Sequence, residues 1–453
     1  MYPTSTTSEK LKLFIHVMLP ILATQIGMYG MNMFDTMMSG RAGAKELAGV
    51  AIGSSIWLPV FTGLGGVMMA MTPILSQHIG AGEKDKVPFK VLQGVYLSIA
   101  LSVLVLIAGA AILNPVLEIM SLETDVQFIA KHYLIGMAFG IPALFFQQAL
   151  RGFIDSLGQT RVTMIVTLLA LPVNVAMNYL LIFGKFGFPE LGGIGAGYAS
   201  AVTYWFILGI AMYYTIKVKP FRSFRIFRLR QRVSFTAWKE ILLIGLPIGC
   251  TIFFETSIFA AITLLMSEFS TEVIAAHQAA INFASLLYML PLSIAFALTI
   301  VVGFEAGAER IQHAKQYARL GMLTAFGLGV IASVLIYFLR SPVTVLYTSN
   351  EEVAEWMRVF LIYAIFFQMS DAVATPIQGV LRGYKDVNVP FLYAFVSFWI
   401  IGLPLGYGLA SFTDFGPLGY WIGIITALAA VASTLYFRLR KVQADALKSS
   451  AYG

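Results

Sequence analysis

The chain has 453 residues, of which 58% are hydrophobic and 12% are charged, and its formal net charge is +7. Soluble domains have about 25% charged residues, so this chain has too few charges to cover a water-facing surface of its size. The composition therefore excludes a soluble globular protein and predicts a membrane protein.

Runs of about 20 apolar residues, the length that crosses a roughly 30 Å hydrocarbon core, dominate the chain. Twelve occur, near residues 11–38, 47–79, 89–113, 126–152, 160–183, 194–216, 239–266, 272–303, 316–339, 354–379, 388–411 and 417–438. The first run is too long for a signal peptide and is expected to be retained. The alternating ten-residue segments of a membrane β-barrel are missing. The sequence predicts an all-α polytopic membrane protein with twelve transmembrane helices.

The distribution of basic residues predicts the orientation of these spans. With the N-terminus placed in the cytoplasm, the loops on that side contain 24 of the 30 Lys and Arg residues, and the other side contains six. Cytoplasmic loops are enriched in Lys and Arg, so both termini are expected in the cytoplasm of a multi-pass protein of the cytoplasmic (inner) membrane. This topology and anionic lipid headgroups account for the net charge without a nucleic-acid partner.

A basic segment rich in aromatic residues, KVKPFRSFRIFRLRQR at 217–232, separates the sixth and seventh runs. Between two spans, such a segment is typical of a linker at the membrane interface rather than of a nucleic-acid patch. The predicted domains are an N-terminal six-helix lobe (1–216), a basic cytoplasmic linker (217–238), a C-terminal six-helix lobe (239–440) and a cytoplasmic tail (441–453).

The two halves of the chain contain matching landmarks, which indicates an internal repeat. Leu-Pro occurs at 19–20 and 246–247, GAGE at 80–83 is matched by AGAE at 306–309, Leu-Arg-Gly occurs at 150–152 and 381–383, and Leu-Pro again at 171–172 and 403–404. Repeats of six spans enter the membrane from the same side, so two pseudo-symmetric six-helix bundles are expected about an axis along the membrane normal. Such bundles predict a transporter that works by alternating access.

Three acidic residues, Asp35, Glu255 and Asp371, lie inside predicted spans and away from the helix ends. An acid at the centre of a membrane helix costs about 3 kcal/mol, and no Lys or Arg is expected deep enough in a span to pair with them. They could be protonated structural acids. A carboxyl group in a dry site also carries a proton well, and two carboxylates hold a hard cation through oxygen ligands. We therefore predict ion-coupling sites, with Glu255 and Asp371 as candidate Na⁺ ligands.

Polar and flexible side chains lie on the same predicted helices as the acids. On the first helix, Thr24, Met28, Met31, Asn32 and Asp35 form one stripe, and on the eighth, Gln278, Asn282 and Ser285 form another with Tyr288 at its edge. Methionine suits a surface that accepts several shapes but also fills cores, and polar stripes also join helices. The predicted substrate-binding residues are Met28, Met31, Asn32, Gln278, Asn282 and Tyr288.

The fifth predicted helix contains two asparagines, Asn174 and Asn178, one turn apart. Their spacing suits hydrogen bonds to a protonated Asp35 on the first helix. We predict that they are the hydrogen-bond partners of this acid in the N-terminal lobe.

These residues lie in stretches that resemble the multidrug and toxic compound extrusion (MATE) family, in particular its NorM-type branch. The similar stretches are FDTMMSG (34–40), VAIGSSIWLP (50–59), LPVNVAMNYLLIFG (171–184), GLPIGCTIFFE (245–255), AAHQAAINFASLLYMLPLS (275–293), QMSDA (368–372), LRGYKDV (381–387) and LGYWIGI (418–424). Several long stretches in order are more specific than one short motif, and these extend over nearly the whole chain.

The resemblance implies export of organic cations and drugs, driven by the inward flow of Na⁺ or H⁺. In that branch, the acids that match Glu255 and Asp371 are associated with cation binding, and the acid that matches Asp35 with coupling and substrate release. The positions that match Gln278 and Tyr288 are associated with the substrate cavity, where a tyrosine ring can face a cation.

Two positions depart from the family pattern. Asn178 stands where the DinF-type branch has an aspartate, and Phe367 stands where an aromatic hydroxyl sometimes precedes the acid of the tenth helix. The first difference argues against a purely proton-coupled N-terminal lobe, and the second removes a possible sodium ligand. The choice between Na⁺ and H⁺ therefore stays open.

Two other functions are distinguishable by their residues. A lipid-linked oligosaccharide flippase of the wider superfamily would be expected to line its cavity with Arg and Lys, whereas the candidates here are acidic and aromatic. A membrane prenyltransferase needs paired aspartates, and the sequence has no D-D-x-x-D, P-loop, H-E-x-x-H or G-x-S-x-G motif. We therefore predict a monomeric transporter, not an enzyme, with no cofactor except the coupling ion. Its expected partners are organic cations, Na⁺ or H⁺, and membrane lipids.

Overall fold

The computed structural model describes residues 1, 3–228 and 231–452, and this part of the chain is helical without strands. The first half contains α1 (Thr7–Ala42), α2 (Ala44–Met68), α3 (Met71–Gly80), α4 (Val87–Ile119), α5 (Thr124–Ala138), α6 (Ile141–Ser156), α7 (Thr160–Phe183) and α8 (Gly193–Lys217). The second half contains α9 (Phe235–Leu265), α10 (Thr271–Gly307), α11 (Ile311–Tyr347), α12 (Glu351–Gly383), α13 (Asn388–Phe395), α14 (Leu403–Phe412) and α15 (Leu418–Tyr452). Short 3₁₀ helices cover Phe221–Phe224, Ile226–Arg228 and Met266–Glu268.

Eleven helical segments in the described chain are long and apolar enough to cross a membrane. Helices α5 and α6 pass the same test together but are bent by 48°, so the count is 12 if this pair forms one span. The predicted all-α membrane fold is therefore confirmed. Several helices extend beyond the predicted spans, and α15 continues to Tyr452. The extensions contain charged residues. Such residues are expected outside the hydrocarbon core and are not part of an apolar run.

Several spans contain prolines. Pro20, Pro247 and Pro376 lie inside α1, α9 and α12. Between α13 and α14 the chain forms a π-helical segment, Val396–Gly402. Pro404 follows this segment and has no N–H for the carbonyl of Ile400, so the regular i to i−4 ladder cannot run through it.

By its contacts the chain forms two compact units. One contains Met1 and Leu19–Gly249, and the other contains the chain from Cys250 onward with the stretch that ends at Met18. The N-terminal part of α9, up to Gly249, thus belongs to the first unit. The N-terminal part of α1, up to Met18, belongs to the second. The lobes 1–216 and 239–440 follow the sequence repeat rather than contacts. They stay a prediction, as do the linker 217–238 and the tail 441–453.

Helices within the second unit pack closely through small residues. A Cβ atom at Gly379 of α12 would lie 2.3 Å from the carbonyl oxygen of Ala295 on α10. The hydroxyl of Thr299 donates to the Gly379 carbonyl at 2.9 Å. Small residues let membrane helices approach until such backbone contacts form. The Asp371 region of α12 is therefore held tightly against α10.

Gly379→Ala is expected to lower the free energy of unfolding by about 1–3 kcal/mol, because the added methyl group overlaps the backbone of α10. The control is Gly327→Ala on α11, whose Cβ would meet nothing within 4 Å. We expect the control to match the parent or to gain up to about 1 kcal/mol from helix propensity. Thermal unfolding of the purified variants in detergent measures both effects, and equal unfolding temperatures would contradict the packing argument.

Candidate functional site

Asp35 lies where three helices of the first unit meet. Asn178 on α7 donates from Nδ2 to Asp35 Oδ1 at 2.5 Å, and Ser200 on α8 donates from Oγ to Asp35 Oδ2 at 3.4 Å. The same Nδ2 of Asn178 contacts Asn174 Oδ1 at 3.3 Å. Both asparagines are buried, with 0% and 2% exposure for Asn178 and Asn174. The structure thus brings both predicted partners to this acid and adds Ser200.

The Asp35 cluster has a spare acceptor. The Oδ1 atom of Asn178 is buried and receives no hydrogen bond from any described residue. The donors that face Asp35 suit its ionised form, whereas a protonated carboxyl would need an acceptor. Rotation of the Asn178 amide would supply one, so the cluster has groups that fit either state of Asp35.

The rest of the first-helix stripe lies beside an arginine. Thr24 is buried and donates to the Pro20 carbonyl at 2.9 Å. Met28 and Met31 are half-buried, and Asn32 is exposed. Nη1 of Arg151 lies 3.8 Å from the Met28 sulfur.

Arg151 is a cation that the sequence interpretation assigned to a loop. Its guanidinium also contacts Gln25 Oε1 at 3.5 Å and Asp155 Oδ2 at 3.4 Å. The predicted methionine surface therefore has a fixed positive charge next to it. This charge is matched by the carboxylate of Asp155, which also accepts a hydrogen bond from Thr163 at 2.6 Å.

Glu255 on α9 is connected to a buried arginine of the same unit. Gln378 on α12 donates from Nε2 to Glu255 Oε1 at 2.6 Å, and Arg382 donates from Nη2 to Gln378 Oε1 at 3.3 Å. The Arg382 side chain is buried, with 8% exposure for the residue, and its charge acts on Glu255.

The expectation that no Lys or Arg lies deep enough to meet these acids is therefore wrong. Arg382 occupies the last turn of α12, where the apolar run of the sequence has already ended. Side chains on a helix point back toward its N-terminus, so the guanidinium of a terminal residue reaches a turn into the bundle. Gln378, four residues earlier, lies in its path and relays the contact to Glu255.

Asp371 lies on the same helix and shares an environment with Glu255. Thr375 donates from Oγ1 to Asp371 Oδ1 at 2.8 Å, and the acid is 5% exposed. Asp371 and Glu255 interact electrostatically. Tyr288 on α10 interacts with both acids and hydrogen-bonds to Thr375. Three of the predicted site residues are thus brought together by α9, α10 and α12.

The donor set around Asp371 consists of oxygen atoms. Among the described residues, no group of three or more His, Cys, Asp or Glu side chains is arranged to hold a metal ion. Hydroxyl and amide oxygens supplement the two acids here. Gln368 lies three residues before Asp371, on the same helix face. Its side chain is 1% exposed, and its Oε1 has no partner within the described chain. An unused buried oxygen beside a carboxylate fits a hard cation such as Na⁺, so Glu255 and Asp371 stay candidate Na⁺ ligands.

The polar stripe of α10 is exposed and has protein partners. Gln278 donates to Thr263 Oγ1 at 3.2 Å, and Tyr347 donates to Asn282 Oδ1 at 2.9 Å. Beside them, His277 is buried and accepts from Trp421 Nε1 at 3.2 Å, as a structural histidine does. The assignment of Gln278 and Asn282 to substrate binding stays a prediction, since these hydrogen bonds also join helices.

Sequence reasoning missed Ser200, Gln368, Gln378, Arg151 and Arg382. Gln368 and Gln378 could have been predicted from their spacing. Gln368 is one turn before Asp371, and Gln378 is about two turns after it on the same helix. Ser200 is the sort of small polar residue that is common between membrane helices. The two arginines belong to the repeated Leu-Arg-Gly landmark, so their occurrence at matching positions of both halves was a signal in the sequence.

Comparison with known proteins places the chain in a family. The MatE family model matches residues 20–180 and 247–408, once in each half of the chain. A protein named "Probable multidrug resistance protein NorM" from Halalkalibacterium halodurans is 64% identical over 443 residues, which cover 98% of this chain and 97% of that protein. The protein of the same name from Bacillus subtilis is 53% identical over 98% of both chains.

Solved structures share the fold at low sequence identity. A eukaryotic MATE transporter, AtDTX14, superposes with a TM-score of 0.85 at 20% identity, over 98% of this chain and 99% of that one. A MATE structure in the straight conformation gives a TM-score of 0.88 at 17% identity, over 98% of this chain and all of that one. The double match to the family model and the near-complete coverage of these relatives lead to one conclusion: the chain belongs to the MATE family of membrane transporters and is not an enzyme.

Proposed function

We propose that this transporter exports cationic drugs in exchange for Na⁺ or H⁺. The observation that carries the proposal is the cluster of the buried Asp371 with the half-buried Glu255 and Tyr288, in which oxygen atoms and an aromatic ring converge. The relatives named as multidrug resistance proteins support drugs as the substrates. Organic cations and a coupling ion would both seek the negative charge of this cluster.

The charges of the cluster suit a single visiting cation. When both acids are ionised, Glu255 and Asp371 together with Arg382 leave one net negative charge. Opposite unit charges 4 Å apart attract by about 4 kcal/mol at an effective dielectric constant of 20. One Na⁺, one proton or one monocationic drug would neutralise the cluster, so the three compete. Because of this competition, an ion that moves into the cell would displace a drug that is to be exported.

Asp35 would couple a second ion-binding event in the first unit. Its hydrogen bonds to Asn178 and Ser200 hold the carboxylate in place, and the unused acceptor of Asn178 is available to a protonated carboxyl. Protonation or ion binding at Asp35 would change these hydrogen bonds and would favour release of the drug.

Asn178→Ala is expected to slow ethidium efflux about tenfold or more, because it removes the direct hydrogen bond to Asp35, and bonds to charged groups contribute about 1.5–3 kcal/mol. Asn174→Ala on the same helix face is the matched comparison and is expected to have a smaller effect. Efflux from cells with equal amounts of each variant in the membrane measures the difference. A larger loss for Asn174→Ala would contradict the assignment of Asn178 as the direct partner.

Proteoliposomes test the coupling directly. Purified protein is reconstituted, and ethidium transport is followed first under a sodium gradient alone and then under a pH gradient alone. Transport in one condition identifies the coupling ion, and transport in both indicates that either ion serves. Absence of gradient-driven transport in both conditions, with protein that retains its unfolding transition, would overturn antiport.

A lipid-linked oligosaccharide flippase is the second candidate function. Its expected basic residues have counterparts here, since Arg151 and Arg382 are largely buried. Arg151, however, contacts Asp155, and Arg382 reaches Glu255 through Gln378. Arginines engaged in this way are less available for a pyrophosphate, which favours cations as the cargo.

The proposed setting is the cytoplasmic (inner) membrane, with a monomer whose termini both face the cytoplasm. The distribution of Lys and Arg supports this orientation. Na⁺ or H⁺, organic cations and membrane lipids are its proposed partners. A single cysteine introduced at Lys441 in a Cys250→Ala background, labelled by an impermeant maleimide only after the membrane is opened, would support the cytoplasmic position of the C-terminus.

A further inference from the structure

The described residues of the segment that connects α8 to α9 form a strap along the protein. We define the strap as residues 217–239, of which the structure describes all except 229 and 230. Its sequence contains Phe-Arg three times at a spacing of three, at 221–222, 224–225 and 227–228. Two 3₁₀ helices, Phe221–Phe224 and Ile226–Arg228, cover these pairs except for Arg225, which separates the two helices with a φ of 49°. A 3₁₀ helix has three residues per turn, so within each helical turn like residues return to the same side.

The aromatic side of the strap packs against the protein. Phe221 is 1% exposed, and its ring meets Phe153 of α6 edge to face at 5.9 Å between centroids. Phe224 meets the same ring at 5.3 Å, and Phe227 meets Phe146 at 6.4 Å. The protein therefore covers these three phenylalanine rings, whereas Phe235 near the end of the strap is 77% exposed. The position of the linker at the membrane interface stays a prediction.

The end of the strap is fixed to α4 by hydrogen bonds. Gln93 donates from Nε2 to the carbonyl of Arg232 at 2.8 Å and accepts from the backbone N–H of Ser234 at 2.8 Å. The hydroxyl of Tyr96 donates to the carbonyl of Gln231 at 3.1 Å. These contacts fix the backbone at the end of the strap, so the Cα positions of the nearby outward-facing side chains are also fixed.

The outward side of the strap is cationic. Seven of its described basic residues are exposed: Lys217, Lys219, Arg222, Arg225, Arg228, Arg232 and Lys239. The sequence has no Asp or Glu between Lys217 and Lys239. The strap therefore presents one sign of charge, without acids of its own to neutralise it.

We propose that this basic face binds the headgroups of anionic phospholipids. Lys217 ends one membrane-spanning helix, and the next begins at Phe235, so the cations between them lie at the level of the headgroups. Guanidinium groups match the phosphate of a lipid through paired hydrogen bonds. Because Phe221, Phe224 and Phe227 pack against α6, the arginines beside them bind through their charge, and this binding weakens as salt increases.

Lipid binding to the purified, full-length protein tests the proposal. Native mass spectrometry in a neutral detergent measures the occupancy by phosphatidylglycerol and by phosphatidylcholine. The strap variant combines Arg222→Gln, Arg225→Gln and Arg228→Gln. Its control combines Arg440→Gln, Lys441→Gln and Lys448→Gln, which removes three exposed cations from α15. We expect the affinity for phosphatidylglycerol to fall at least about tenfold in the strap variant and less than about twofold in the control.

Two further measurements separate this proposal from others. The charge-preserving variant Arg222→Lys, Arg225→Lys, Arg228→Lys is expected to retain most of the binding, which excludes a folding defect as the cause. Phosphatidylcholine occupancy is expected to be unchanged throughout. Equal losses in the strap variant and the control, or no loss in either, would overturn the proposal. Transport plays no part in these measurements, so their result does not depend on whether the protein exports drugs.

Discussion

Glu255→Gln and Asp371→Asn are each expected to reduce ethidium efflux by at least about a hundredfold, while the purified variants stay folded. Both substitutions keep the shape of the side chain and remove the negative charge that a visiting cation needs. Opposite unit charges 4 Å apart attract by about 4 kcal/mol at an effective dielectric constant of 20, and the loss of about 2.8 kcal/mol of this attraction corresponds to a hundredfold. Efflux from cells and thermal unfolding in detergent measure the two properties separately.

An exposed acid supplies the control for each variant. Asp414→Asn matches Asp371→Asn, and Glu355→Gln matches Glu255→Gln, because both residues are exposed in the structure. We expect normal efflux from both controls. The unfolding temperature of Asp371→Asn should not decrease, since a neutral amide is easier to bury than a carboxylate. Normal efflux by either site variant would remove that acid from the mechanism.

Arg382→Gln is expected to raise the apparent affinity for Na⁺ about tenfold and to slow efflux. The substitution removes the fixed positive charge that reaches Glu255 through Gln378, so the two acids hold a visiting cation more strongly. A gain of about 1.4 kcal/mol in binding corresponds to this tenfold change. Slower release of the ion then limits turnover, because a cation must leave as well as enter.

A tryptophan of the same unit is suited to report ion binding. Trp399 donates from Nε1 to the carbonyl of Phe254 at 3.3 Å, next to Glu255 in the chain. Titration of tryptophan fluorescence with NaCl, at constant ionic strength kept with choline chloride, gives the apparent affinity. Arg440→Gln removes an exposed charge and is the control. Arg382→Lys should fall between the parent and Arg382→Gln. An unchanged or weaker sodium affinity in Arg382→Gln would show that this arginine is not an internal counter-charge.

The positions of the spans and of the three acids within them followed from the sequence for a simple reason. A helix that crosses lipid needs about 20 apolar residues, so its location can be found by composition, and any acid within it stands out. Asp35, Glu255 and Asp371 were found in this way. The spacing of Asn174 and Asn178 on one helix face also indicated a shared partner, and the structure places both beside Asp35.

The breaks in the helices were less visible in the sequence. The bend between α5 and α6 and the π-helical segment before α14 occur inside stretches that are apolar throughout. An apolar run has the same composition whether or not its backbone hydrogen bonds are continuous, so composition does not indicate where a helix is broken. Some helices also extend beyond the predicted spans. The predicted span ends at residue 438, whereas α15 continues to Tyr452, because its last turns contain charged residues and are not an apolar run.

The sequence by itself determined that this is an all-α membrane protein with two related halves and three acids in its spans, because lipid imposes length and polarity on each helix separately. Only the tertiary structure decided which groups meet those acids. Arg382 looked like a loop residue, yet its side chain reaches back along α12 to Gln378 and, through it, to Glu255. The direction of a long side chain depends on the neighbouring helices that cover it, and this information is not contained in any single span.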